Sequence, residues 1–184
     1  MRKNFGSKPW VYPQPVLIVG TYDENGNPDA LNAAWGGQYD HNQVMLCLSK
    51  HKTTDNMVKK GAFTVSFADV KHVVEADYVG IVSANDVPDK LARAGLHTVK
   101  SEFVDAPIIE EFPLTLECKF LKFNEDGNVI GEIVNVSADE RIIGADGKID
   151  SSKLGAIIFD PINAGYIALG ERVGNAFKDG AKLK

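Results

Sequence analysis

Short apolar runs and period-two alternation dominate the chain, and they predict β-strands joined by tight turns. The alternation is clearest at 62–67, where Phe63, Val65 and Phe67 fall on one side. Further apolar or β-branched runs predict strands at 16–19, 30–35, 44–48, 114–123, 129–137, 156–159 and 166–169. Asn-Gly or Asp-Gly pairs lie in three of the connections, at 25–26, 126–127 and 146–147. These pairs favour hairpins, so the strands are expected to be antiparallel.

Three short helices are predicted between the strands, at 53–60, 69–79 and 86–94. Each begins at a residue with a side-chain oxygen, and a glycine follows each end: Gly61, Gly80 and Gly95. In the second helix, Val70, Val73 and Val74 fall on one face, which is expected to pack on an apolar surface. Because the helices are inserted among hairpins, the pattern predicts a mainly β fold with an antiparallel barrel. One domain is expected over residues 1–184.

Composition and charge narrow the class of protein. Hydrophobic residues make up 44 % of the chain and charged residues 24 %, an ordinary globular mixture. The net charge of −5 argues against a nucleic-acid partner. No apolar run reaches the roughly 18 residues of a membrane span, and no apolar run follows the basic start of the chain. We therefore expect a cytoplasmic protein that binds neither membranes nor nucleic acid.

The residues with special chemistry form no familiar catalytic or metal motif. The four histidines lack the spacing of metal ligands, so no metal site is expected. There is no nucleophile motif of the GxSxG type and no GxGxxG after a strand, so neither a catalytic nucleophile nor a Rossmann domain is assigned. Cys47 and Cys118 both lie in apolar stretches, and we expect two buried, reduced thiols.

One segment, residues 48–56, has the composition of a phosphate-binding turn. A strand is followed by two lysines and a histidine, and adjacent threonines then open a helix. The first amides of a helix lack partners and attract anions, while hydroxyl and ammonium groups add charge-assisted hydrogen bonds. An ordinary capped helix after a basic turn is the alternative interpretation. The candidate phosphate ligands are Ser49, Lys50, Thr53, Thr54 and Asn56.

A second segment, residues 32–37, could accommodate a flat ligand. Asn32, Ala33 and Ala34 precede Trp35 and two glycines, so small residues expose the backbone beside an aromatic ring. The alternative is a core tryptophan beside a glycine bend. A nucleotide or flavin needs both a phosphate anchor and a backbone-lined slot, and the predicted strand at 44–48 connects the two segments.

The order of these motifs resembles the flavin reductase-like, FMN-binding split-barrel family, particularly its flavoredoxin-type branch. The resemblance covers about residues 10–177. The matching segments are 20–21, 32–35, 48–56, 61–66, 89–96, 116–118, 129–133 and 166–170.

The resemblance implies a homodimer with FMN in a groove between the subunits. The residues Asn32, Ala33, Ala34 and Trp35 would contact the isoalloxazine and ribityl chain, and Ser49, Lys50, Thr53, Thr54 and Asn56 would hold the phosphate. Lys90 and Tyr166 match positions that approach the flavin.

Function is then expected to depend on the cofactor, and no catalytic acid, base or nucleophile is assigned. The leading hypothesis is a reductase that passes hydride from NADH or NADPH to the flavin. The alternative is an FMN electron carrier that serves a redox partner protein. A third possibility is a non-catalytic barrel that binds a phosphorylated ligand.

Overall fold

A seven-stranded antiparallel sheet forms the body of the protein in a computed structural model, which describes residues 1–184. In chain order, the strands are β1 (Gln14–Pro15), β2 (Leu17–Tyr22), β3 (Pro28–Ala33), β4 (Gly36–Asp40), β5 (Gln43–Leu46), β6 (Ala62–Phe67), β7 (Thr98–Lys100), β8 (Pro107–Ile109), β9 (Leu114–Phe123), β10 (Val129–Ala138), β11 (Ile157–Asp160) and β12 (Gly165–Ala168). The helices are α1 (Lys52–Lys60), α2 (Val73–Ile81) and α3 (Lys90–Arg93). Three short 3₁₀ turns complete the regular structure.

The large sheet has the strand order β3-β2-β6-β9-β10-β5-β4, and it curls into a split barrel. Although β3 and β4 are consecutive in the chain, they occupy opposite edges of the sheet. The curl brings β4 back towards β2. A Cβ added to Gly36 would lie 2.8 Å from a methyl of Leu46 and 3.1 Å from a methyl of Leu17. A glycine is therefore required at position 36, where β4 approaches β2. The mainly β, antiparallel barrel predicted from the sequence is confirmed.

Two apolar cores lie on the two sides of the sheet. Because side chains alternate along a strand, β2 contributes to both. Leu17 and Val19 pack inside the barrel with Phe63, whereas Ile18, like Val16 just before the strand, packs on the outside beneath α2 and α3. The strand is buried on both faces, which explains its continuous apolar sequence. It also fixes the positions of β3 and α2, the elements that form the site described below.

All the predicted strands are present: those at 62–67 and 114–123 have the predicted bounds, and the others have altered ones. Several further strands were not predicted. The predicted strand at 30–35 ends at Ala33, and a separate edge strand, β4, follows it. This strand is glycine-rich and half-exposed, so it lacks the apolar alternation that marks the others. The unpredicted strands β1, β7 and β8 have only two or three residues each, too few to show a period.

The predicted helices are partly correct. Helix α1 ends at Gly61, whose φ of +65° is the left-handed conformation expected there. Helix α2 begins four residues later than predicted, because Asp69 accepts hydrogen bonds from the Lys71 and His72 amides in a turn. Its end also differs: Gly80 lies inside the helix and Val82 is the C-cap. The third helix is limited to the four residues of α3.

Two burial predictions need correction. The buried residues of α2 are Ala76 and Val79. Of the three valines expected on the packed face, Val73 is half-buried against the core outside the barrel, Val74 is exposed, and Val70 is exposed in the turn before the helix. Cys118 is buried as predicted, but Cys47 is exposed, because it lies just beyond β5, where the chain leaves the barrel.

None of the helices has the length and hydropathy needed to cross a membrane.

Candidate functional site

A groove runs along the outside of the barrel, between the end of β3, the turn before α1, and α2. It consists of two adjoining cavities, an apolar one of about 670 Å³ and a polar one of about 420 Å³. Both lie within the roughly 300–1,000 Å³ typical of ligand pockets. The two cavities share wall residues: Leu31, Asn32, His51, Gly80 and Ile81. One ligand could therefore occupy both.

The apolar cavity contains the segment predicted to accept a flat ligand. Asn32, Ala33, Ala34 and Trp35 form one side of it, and Tyr166 lies in the same cavity. The side chain of Trp35 is not in the core, since 54 % of the residue is exposed. Of the two interpretations left open by the sequence, the structure thus favours an aromatic wall of a cavity. The exposed Cys47 lines this cavity as well.

The position of Asn32 is fixed by helix α2. Its side-chain amide donates a hydrogen bond of 2.9 Å to the carbonyl oxygen of Ala76. Gly80, one turn further along the helix, has no side chain to hold the helix away. The strand and the helix therefore meet at the point where the two cavities join.

The polar cavity is bordered by the basic turn. Lys50, His51 and Lys52 line it together with Ser83 and Asn85 from the segment after α2. Ser49 and His51 are joined by a hydrogen bond of 2.9 Å between Oγ and Nε2. This end of the groove has two ammonium groups, an imidazole and the first turn of α1 close together, which is the chemistry of an anion site.

The hydroxyl and amide groups predicted as phosphate ligands are largely used within the protein. Thr53 donates to Asp29 (2.9 Å) and Thr54 donates to the carbonyl oxygen of His51 (2.7 Å). Asn56 donates to Thr21 (3.2 Å). All three donors are buried. For these groups the structure supports the capped-helix interpretation: they attach α1 to the barrel and hold the basic turn in place.

Lys90 lies in the wall of the polar cavity, but its charge is paired. Its Nζ is 2.9 Å from Oδ1 of Asp29 and donates to the carbonyl oxygen of Val82 at 3.0 Å. The side chains of Lys90 and Asp29 are only 4 % and 3 % exposed. The ammonium therefore connects α3 to β3 and to the end of α2, and it lies beneath the groove.

Tyr166 joins β12 to α2 at the apolar end of the groove. Its hydroxyl donates a hydrogen bond of 2.7 Å to Asp77. Burial of the ring, reinforced by this bond and by the negative charge of Asp77, raises the pKa of Tyr166 to about 12. The hydroxyl is thus neutral at physiological pH and its proton is directed to the carboxylate.

The structure brings together most of the residues selected from the sequence. Ten of the eleven line the groove or the adjoining cavity at the basic turn: Asn32, Ala33, Ala34, Trp35, Ser49, Lys50, Thr53, Thr54, Lys90 and Tyr166. Asn56 is buried outside these cavities. Asp29, His51 and Asp77 are among the residues of the site that were not selected. His51 belongs to the basic turn and could have been found there, but Asp29 and Asp77 lie in no motif.

Comparisons with known proteins agree with this architecture. The profile of the flavin reductase like domain matches residues 10–150. The flavoredoxin of Desulfovibrio vulgaris (Miyazaki F) is 38 % identical, with a TM-score of 0.93 over 98 % of this chain and all of that one. The flavoredoxin of Methanosarcina acetivorans, 24 % identical, shares the fold with a TM-score of 0.88 over the full length of both chains.

An uncharacterized protein of Aeropyrum pernix is 30 % identical over 118 residues. The match covers 62 % of this chain and 45 % of that relative, so the present chain corresponds to less than half of it.

The fold and the groove define a split-barrel protein of the flavin reductase class. The chain belongs to the flavin reductase-like family, and within it to the flavoredoxin branch, as its motifs indicated.

Proposed function

We propose that this chain is a flavoprotein that binds FMN in the groove, with the ring system at the apolar end and the phosphate at the polar end. The observation that carries this proposal is the direct junction of the two cavities at Asn32 and His51. FMN matches these two cavities, because it has a flat aromatic ring at one end and a dianionic phosphate at the other.

The position of each residue in the groove suggests which part of FMN it would contact. At the apolar end, the small side chains of Ala33 and Ala34 leave the backbone accessible to the ring, and Trp35 covers it. Lys50 lines the polar end and would contact the phosphate directly, and Ser49 would reach it from the adjoining apolar cavity, where it is hydrogen-bonded to His51. Thr53, Thr54 and Asn56 would act mainly by holding the start of α1, since their side chains already have partners.

His51 is an additional candidate for the phosphate end. It lines both cavities and precedes the first residue of α1. Its hydrogen bond with Ser49 fixes both side chains in the turn. A bound phosphate would therefore meet a preorganised pair rather than two mobile side chains, which reduces the entropy lost on binding.

The reaction we propose is the reduction of flavin by NADH or NADPH. Bound FMN supplies the hydride acceptor, and it can pass two electrons on to a second acceptor or leave in reduced form. The protein would position the ring in the groove and leave one face accessible to the nicotinamide. The half-exposed Trp35 is consistent with a groove that is open on that side.

The second candidate is an electron carrier that exchanges electrons with a redox partner protein. The overall likeness to the Desulfovibrio flavoredoxin favours it. The binding site for FMN would be the same in both cases, and the difference lies in whether a nicotinamide can reduce the flavin.

We also propose that the chain acts as a homodimer. Residues 169–184 form an arm whose residues are all exposed, including Val173, Phe177 and Leu183. The arm carries four basic and two acidic residues, whereas the whole chain has a net charge of −5. Its apolar side chains and its positive charge both fit the acidic body of a second copy better than water.

Anaerobic mixing with each nicotinamide tests the proposed reaction. The FMN-loaded protein is mixed with NADH or NADPH, and the flavin absorbance near ~450 nm is followed. Rapid bleaching by one of them supports the reductase. Bleaching by dithionite alone supports the electron carrier. A protein that takes up no FMN excludes both and leaves the non-catalytic barrel.

A further inference from the structure

Asp77 is an acidic side chain in the apolar cavity with no cation beside it. It lies on α2, in the cavity wall that also contains Tyr166 and Phe159. No lysine, arginine or histidine nitrogen lies within 4.0 Å of it, in contrast to the buried Asp29, which is paired with Lys90. The only side-chain hydrogen bond of Asp77 is the one from the Tyr166 hydroxyl. Its negative charge is therefore not neutralised by an ion pair.

The hydrogen bond also determines what Tyr166 offers to the cavity. A tyrosine hydroxyl has one proton, and here that proton is donated to Asp77 at 2.7 Å. Its oxygen can then only accept hydrogen bonds from a ligand. The carboxylate thus supplies the negative charge of this wall, and the tyrosine hydroxyl has no free proton to offer a ligand.

We propose that Asp77 is a positioning and tuning residue that makes the groove bind oxidised FMN in preference to reduced FMN. This inference rests on the proposed binding of FMN. At neutral pH the ring of reduced FMN carries a negative charge, and the oxidised ring does not. A fixed negative charge in an apolar cavity repels the reduced ring more strongly than it would in water.

Two consequences follow for the proposed function. A site that prefers the oxidised form lowers the reduction potential of the bound flavin, which makes the reduced flavin a stronger donor. It also makes the reduced form the one that dissociates more readily. The same residue would thus favour the transfer of electrons onward, either by the protein or by released flavin.

The test compares the affinities of Asp77→Asn and the wild type for the two redox forms. Asparagine has the same shape and keeps an oxygen that accepts the hydrogen bond from Tyr166, so the fold is retained while the charge is removed. The dissociation constants for oxidised FMN and for dithionite-reduced FMN are measured anaerobically by titration. We expect the ratio of reduced to oxidised constants to fall about tenfold or more, where tenfold corresponds to about 30 mV for two electrons.

Two further variants test whether the effect comes from the charge of Asp77 itself. Glu75→Gln removes a charge from the same helix outside the groove cavities, and its ratio is expected to match the wild type. Tyr166→Phe removes the hydroxyl but keeps the carboxylate, so its ratio should also stay near that of the wild type. A ratio that changes as much in Tyr166→Phe as in Asp77→Asn would overturn the proposal, because the hydroxyl would then be the cause.

The remaining outcomes distinguish the inference from the proposed function. The wild type could bind FMN while Asp77→Asn lowers the affinities for oxidised and reduced FMN equally, or changes neither affinity. In that case the tuning role is wrong and the flavoprotein assignment stands. If the wild type binds neither form, the proposed function fails and the inference fails with it.

Discussion

Gly80 of α2 meets Asn32 of β3 so closely that a Cβ on the glycine would lie 2.8 Å from the Cβ of the asparagine. Real side chains do not approach to this distance, so the contact requires a glycine. The same helix also accepts the hydrogen bond from Asn32 through the carbonyl oxygen of Ala76. The close packing of helix and strand thus sets the width of the groove where its two cavities join.

The variant Gly80→Ala tests this contact. Within a helix, alanine is normally more stable than glycine by about 1 kcal/mol. Here the added methyl group would force α2 away from β3, and overpacking of this kind costs about 1–3 kcal/mol. We expect a net loss of stability in chemical denaturation and weaker FMN binding.

Gly37→Ala is the matched control, since no atom lies within 4 Å of its added Cβ. It should leave FMN affinity unchanged. If Gly80→Ala is as stable as the wild type and binds FMN equally well, the helix is not held where the structure places it.

The buried pair of Lys90 and Asp29 provides a second prediction. Lys90→Met leaves the carboxylate of Asp29 buried with only the hydroxyl of Thr53 as a side-chain partner. Removing one member of a buried pair costs about 3–5 kcal/mol, because the other charge remains uncompensated. We expect a loss of this size in urea denaturation, and partial recovery when Asp29→Asn is added.

The ion pair of Arg93 and Asp89 serves as the control because it lies nearby and is exposed. Arg93→Ala should leave the denaturation midpoint nearly unchanged. Equal losses for Lys90→Met and Arg93→Ala would contradict the buried position of the lysine.

The two cysteines should differ sharply in reactivity. Burial, with a smaller contribution from the charge of Glu117, raises the pKa of the Cys118 thiol to about 12, and the side chain is inaccessible. Cys47 is exposed in the wall of the apolar cavity. A thiol reagent at pH 8 should therefore modify one thiol per native chain, and Cys47→Ser should abolish the reaction.

Saturating FMN should slow this modification of Cys47, since the ring would cover the cavity. Denatured protein, in which both thiols react, gives the reference count. Modification at an equal rate with and without FMN would show that the ring does not lie beside Cys47.

The exposed arm gives a prediction on assembly. Because no residue of 169–184 is buried, replacing Val173 and Phe177 by aspartate removes nothing from the core of the same chain. We expect the wild type to be a dimer by light scattering and the double variant to dissociate at least tenfold more readily. The control replaces Lys182 and Lys184 by glutamine at the end of the arm and should have a smaller effect. A monomeric wild type would refute the proposed dimer.

The sequence predicted the barrel because its information is local. Strands such as β6 alternate in period two, and hairpin turns carry their own glycines, so each element can be recognised alone. Helix α2 was misplaced because Asp69, an apparent N-cap, instead stabilises a turn that precedes the helix. Whether Asp69 caps a helix or stabilises a turn depends on which residues the sheet can bury, and the local sequence does not show this.

The site was predictable only in part, for a related reason. The basic turn and the segment 32–35 are contiguous in sequence, and their residue types suggest their chemistry. Asp77 and Asp29 acquire their roles from partners 89 and 61 residues away, Tyr166 and Lys90. No periodicity or spacing reveals such a contact. Likewise, the internal partners of Thr53 and Asn56 became visible only in the folded chain.

The most direct test of the account is an equilibrium titration of flavin-free protein with FMN and with riboflavin, followed by the fluorescence of the two tryptophans, Trp10 and Trp35, and of the flavin. Riboflavin has the same ring system but lacks the phosphate, so the comparison probes both ends of the groove. We predict saturable binding of one FMN per chain, quenching of tryptophan fluorescence that is smaller in Trp35→Phe, where only Trp10 remains, and riboflavin binding at least tenfold weaker. Absence of FMN binding, or equal affinity for FMN and riboflavin, would contradict the assignment of the groove.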